Sequence, residues 1–206
     1  MKPADEGLLA DRLRTALAEG SRRDATLLQG DVRDADLTRA PVWVPAAVLV
    51  AVVDRPDPGV LLTLRNASLR KHAGQIAFPG GRVDPEDDGP VAAALREAEE
   101  EIGLPRGRVE VIGTADRYRT ITGYEVTPVI GVIAPDIPLT PHVAEVADIF
   151  EVPLAFLLEP ANQLRQAVEW QGSERHYFEI RWHDRRIWGA TAAMIVNLAR
   201  RLALPA

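Results

Sequence analysis

Arg96-Glu97-Ala98-Glu99-Glu100-Glu101-Ile102-Gly103-Leu104 packs four acids into one short run, a pattern that stability alone would not choose. On a helix turning about 100° per residue, Glu100 falls at about −60° and Glu101 at about +40° from Glu97, so these three carboxylates share a face. Like charges at such spacings cost a few tenths of a kcal/mol per pair, and acids in the C-terminal half of a helix also oppose its dipole. A hard divalent cation reverses that balance, because Mg²⁺ and Mn²⁺ prefer oxygen ligands and share a few protein carboxylates with substrate phosphates. The bland alternative is a solvated Glu/Arg helix surface, since the run is also good helix composition.

Upstream stands Phe78-Pro79-Gly80-Gly81, whose glycines permit close approach of backbone to a ligand, followed by an acidic loop from Asp84 to Asp88. Arg65 and Arg70 can offer forked guanidinium donors to phosphate oxygens; surface salt bridges are the alternative use. Lys71, His72, Arg117 and Arg119 are lesser candidates for ligand contact. Tyr124 and Trp188 could stack on a base, but as aromatic residues in strands they are assigned to the core.

Several elements must position these groups. A helix is expected from about 90 to 102, with Pro90 in its first turn, Gly103 just past its end, and Val91, Leu95, Ala98 and Ile102 opposite the acids. Residues 43–53 and 60–65 read as strands of a hairpin around the turn-rich segment 54–59. A second hairpin is expected from 109–118 and 125–134, and two short strands at 176–183 and 185–188. An amphipathic helix over 4–19 leads into a long loop over 21–42, and a last helix occupies about 190–203. Segment 154–175 reads as an insertion with little strand character. Strands around an interior helix, closed by a terminal helix, imply an α/β class with a mixed sheet, and one domain over 1–206 with the first helix as an extension.

Composition narrows the partners. With 206 residues, 47% hydrophobic and 26% charged, the chain can bury a core unaided. A net charge of −6 disfavours nucleic acid and anionic membrane surfaces. The longest apolar stretch, 41–53, is too short to span a bilayer, and no secretory signal is expected at the N-terminus. The absence of Cys excludes thiolate nucleophiles and Cys-ligated zinc and fits a cytoplasmic location.

Gly81, Arg96, Glu97, Glu100, Glu101 and Gly103 together resemble the box of the Nudix hydrolase superfamily: Gly, five residues, Glu, seven residues, then Arg-Glu-apolar-x-Glu-Glu-x-Gly-apolar. The second half matches in full. In the first half Asp87 stands where Glu is expected, and eight residues separate it from Arg96. The resemblance implies a Nudix-type α/β/α sandwich, Glu97, Glu100 and Glu101 as ligands of Mg²⁺ or Mn²⁺, and Arg96 as an orienting group paired with a carboxylate.

Leu61-Leu62-Thr63-Leu64-Arg65, Arg70, Gly74 and Phe78-Pro79-Gly80-Gly81 further resemble the signature of the coenzyme A pyrophosphatase branch. Asn66 departs from it, where Ser or Ala is usual; a loop Asp replacing the box Glu fits that branch. The branch implies metal-dependent hydrolysis of coenzyme A or its derivatives to 3′,5′-ADP and 4′-phosphopantetheine, with Arg65, Arg70, Gly74, Phe78, Gly80 and Gly81 at the substrate. Superfamily members take the base that deprotonates water from the box helix or a distant loop, so Glu100 is the first candidate and Glu145 the second. Alternatives are a pyrophosphatase acting on ADP-ribose or another nucleoside diphosphate derivative, and a non-catalytic nucleotide-binding module. The first helix and segment 154–175 are candidate contacts in a homodimer.

Overall fold

The computed structural model describes residues 8–28, 42–69, 72–170 and 173–202. In chain order the elements are α1 (Leu8–Gly20), β1 (Val44–Val53), β2 (Gly59–Arg65), β3 (Ile76–Ala77), β4 (Gly80–Arg82), α2 (Gly89–Ile102), β5 (Val109–Thr114), β6 (Tyr118–Arg119), β7 (Tyr124–Ile133), β8 (Val146–Pro153), α3 (Leu154–Leu158), β9 (Leu164–Trp170), β10 (Ser173–Trp182), β11 (Arg185–Trp188) and α4 (Ala190–Leu202). Residues 4–7 of the expected first helix, 29–41 of the expected loop, Arg70 and Lys71 lie outside the described residues.

β1 is apolar on both faces because helices cover both sides of the sheet. Ala46, Val50 and Val52 join a core with Leu9 and Leu13 of α1 and Ile195 and Leu198 of α4. Ala47, Leu49, Ala51 and Val53 join Ala94, Ala98 and Ile102 of α2 on the other face. The expected α/β/α sandwich is therefore the observed one. Its sheet is mixed: β1 and β7 run parallel over ten paired residues, while β2, β4, β5 and β8 join antiparallel.

The expected first hairpin is real but brief. β1 and β2 pair only at Val52 with Val60 and Val53 with Gly59. Beyond that point β4 takes the edge of β1, and β2 turns to β8 and β3. That divergence opens the sheet where Arg65 ends β2, at an irregularity in the β2–β8 register between Leu64 and Arg65.

Two expectations are corrected. Segment 154–175 is not poor in strand: α3 is followed by β9 and the start of β10, two strands of a three-stranded sheet ordered β11-β10-β9. The polar residues of an exposed strand had masked its alternation. Trp188 is not core, being 38% exposed with its ring edge toward Tyr177. Among the described residues, no helix is long and apolar enough to cross a membrane.

Candidate functional site

α2 carries the acid face. Pro90 sits in its first turn, and Gly103 ends it in a left-handed conformation at φ 66°, donating its N–H to Glu99 O at 3.0 Å. Ala93, Ala94, Ala98 and Ile102 are fully buried against the sheet, which fixes the rotation of the helix. The three acids consequently differ: Glu101 is almost sealed, Glu97 is mostly covered, and the Glu100 side chain is 57% exposed.

Glu101 accepts the backbone N–H of Gly80 at Oε2 (3.1 Å), while its Oε1 lies 3.4 Å from Arg65 Nη1. Burial pushes its carboxyl up to about 7, against the opposing pull of that N–H and of Arg65. Glu97 is also raised by burial, with Arg96 opposing. Arg65 adds an anomaly of its own: its Nε is buried and has no hydrogen-bond partner among the described residues.

The turn before α2 explains the glycines. A Cβ on Gly80 would stand 2.4 Å from Ala47 O, and one on Gly81 would stand 2.4 Å from Glu97 Oε1. Only glycines let β4 lie between β1 and the acids. Phe78, 3% exposed, packs in the core and anchors this turn from below. Gly74 takes a left-handed φ of 68° in the loop before β3 and donates its N–H to Arg65 O at 3.1 Å.

Arg96 is the hub. Its Nε and Nη2 donate to the two oxygens of Asp87, Nη2 also to Arg82 O, and Nη1 to Glu97 Oε1 (3.0 Å) and Glu100 Oε2 (3.1 Å). The expected pairing of Arg96 with a carboxylate is present several times over.

Glu145 approaches from the loop before β8, which docks on the end of α2 through His142 N to Glu101 O (2.8 Å) and Thr140 N to Ile102 O (2.9 Å). Asn66 holds that loop from the opposite side: its N–H donates to Glu145 O and its Nδ2 to Val143 O, while its Oδ1 accepts from Ser68. The charge of Glu145 is felt at Glu101, where it helps raise the carboxyl. Sequence reasoning missed this clamp, although Asn followed two residues later by Ser is a turn signal.

The remaining candidates have partners of their own. His72 pairs through Nδ1 with Gln75, and Arg117 and Arg119 both pair with Glu125. Tyr124 is half-buried and its hydroxyl accepts from Arg82.

Among the described residues no three acidic or imidazole groups converge as a ready-made metal site, and Arg96 Nη1 holds Glu97 and Glu100. The donor set nevertheless fits a hard divalent cation: three carboxylates on one face, two of them buried with less positive charge nearby than their own burial requires.

A NUDIX domain family model matches residues 43–184. The chain is 47% identical over 158 residues to "Uncharacterized Nudix hydrolase NudL" of Escherichia coli O7:K1, covering 76% of this chain and 82% of that protein. It is 48% identical over the same length and coverage to the protein of that name from Shigella boydii serotype 4. Among solved structures, the M. Smegmatis Nudix hydrolase RenU shares 30% identity over 54% of this chain and 71% of its own, at a TM-score of 0.47.

Proposed function

Because the chain belongs to the Nudix family of pyrophosphatases, which generally use divalent metal ions, we propose that it hydrolyses the diphosphate bond of coenzyme A or a derivative with Mg²⁺ or Mn²⁺. The observation that carries this reading is Arg65, the arginine of the upstream motif. It lies beside Glu101 with its side chain 24% exposed, and a diphosphate oxygen meeting the accessible part of the guanidinium would replace water with a charge-assisted hydrogen bond. Arg70, Gly74, Gly80 and Gly81 complete the substrate side of the proposal, while Phe78, expected there from the motif, is buried in the core and supports the turn instead.

Glu97, Glu100 and Glu101 would hold the ion, which when bound neutralises phosphate charge and lowers the pKa of water. Glu100 accepts the proton of the attacking water; the water oxygen bonds one phosphorus, and the bridging oxygen leaves with the other. Arg96, tied to Asp87, keeps Glu97 and Glu100 oriented and takes no part in bond making. The exposure of Glu100 suits it to meet water, and the burial of Glu97 and Glu101 suits them to hold position. Arg65 offers its donors to phosphate oxygens. We read 1–206 as one domain and place it in the cytoplasm.

The test is incubation with Mg²⁺ or Mn²⁺ and coenzyme A, acyl-coenzyme A, ADP-ribose and NADH, with products identified by mass. Release of 3′,5′-ADP at the highest kcat/KM supports the proposal. Preference for ADP-ribose or NADH would overturn it.

A further inference from the structure

β9 is a free edge among the described residues: β10 pairs it on one side, and no described strand pairs it on the other. An edge of this kind presents unmet backbone donors and acceptors to any strand of matching register. Leu164 and Val168 expose 42% and 45% of their surface on one face, shared with Glu179 through the β9–β10 register. Arg165, Ala167 and Glu169 occupy the other face, with Phe178 and His176 of β10. Neither Arg165 nor Glu169 has a hydrogen bond or ion pair with another side chain among the described residues. Two opposite charges without a side-chain partner among the described residues thus flank Ala167 symmetrically on a single face.

We propose that β9 pairs antiparallel with β9 of a second copy of this chain, about a two-fold axis at Ala167, joining two three-stranded sheets into one of six. Only that register sets Arg165 against Glu169 of the partner subunit, and the symmetry makes the pair twice. Gln166 then faces Val168 of the partner subunit. The cleft beside Arg165 is also lined by Arg200, so an incoming carboxylate meets a second guanidinium. The charge pattern selects a second copy over an unrelated strand, because the same segment supplies both halves of the complementarity.

The full chain is followed by sedimentation and light scattering from about 1 to 100 µM. A dimer is expected. Arg165→Glu and Glu169→Arg should each weaken dimerisation at least about tenfold by opposing like charges, and the double exchange should restore it. Thermal melts check that each variant is folded. A monomer throughout that range would overturn the proposal, with the charges serving only to guard the edge. Insensitivity of a dimer to both single changes, or failure of the double exchange to restore it, would overturn it equally.

Discussion

Asp87 gives both carboxylate oxygens to Arg96, accepting from Nε at 3.0 Å and from Nη2 at 2.9 Å. The same Asp87 closes its own loop, donating its N–H to Asp84 O and accepting the N–H of Asp84. An acid one methylene shorter than Glu, on a loop one residue longer than the family pattern, therefore reaches the arginine that orients the acids of α2. The departure in the box is a compensated one.

Asp87→Ala should cost about 2 kcal/mol of stability at neutral pH, the range for losing a partner of a bidentate charged pair. Arg96 holds the Asp87 carboxyl below its ordinary value, so its contribution is present above about pH 4 and is lost as pH falls through the lowered value. Urea unfolding at pH 7 and pH 3 should show the gap between parent and variant closing at the lower pH. An equal gap at both would mean the pair is not its source.

Glu101 predicts the opposite trend in metal-free protein. Its carboxyl is raised from the usual 4.5 to about 7, so the folded state binds the proton more tightly and loses stability as pH climbs between those values. The difference corresponds to about 3 kcal/mol. Metal-free Glu101→Gln should therefore be more stable than the parent at pH 8 and equal to it near pH 4.5. Added Mn²⁺ should stabilise the parent more than the variant; no advantage for the variant at pH 8 would show that Arg65 already compensates the charge.

Much of this was legible in the chain. The helix over 90–102 and the shared acid face follow from period and punctuation alone, and β1 reads as a doubly buried strand from its unbroken apolar run. The inequality of the three acids was not legible, because it depends on where β4 lies. Nor was the Asn66 clamp, which joins residues far apart in sequence, or β9, whose exposed polar positions hide its period. Short-range pattern reveals elements; long-range pairing decides which carboxylate is sealed and which meets water.

Gly81→Ala tests the turn beside the acids. The added methyl would stand 2.4 Å from Glu97 Oε1, and Glu97 is tied to Arg96, so the carboxylate must move. A shift of about 1 Å at a group of this kind costs about 10²-fold in turnover. Steady-state kinetics with saturating Mg²⁺ should show kcat falling much further than KM rises. A variant of parental kcat would remove Glu97 from the working site.

Glu100 and Glu145 compete for the role of base, and their surroundings separate them. Glu100 is oriented by Arg96 and open to water, whereas Glu145 is half-exposed and stands 3.7 Å from His142 Nδ1 on a loop clamped by Asn66. Glu100→Gln should lower kcat about 10² to 10⁴-fold while leaving thermal stability near the parent's because the side chain is mostly solvated. Glu145→Gln should lower kcat less than about tenfold. The reverse ordering would move the base to the 140–145 loop and leave Glu100 with metal binding alone.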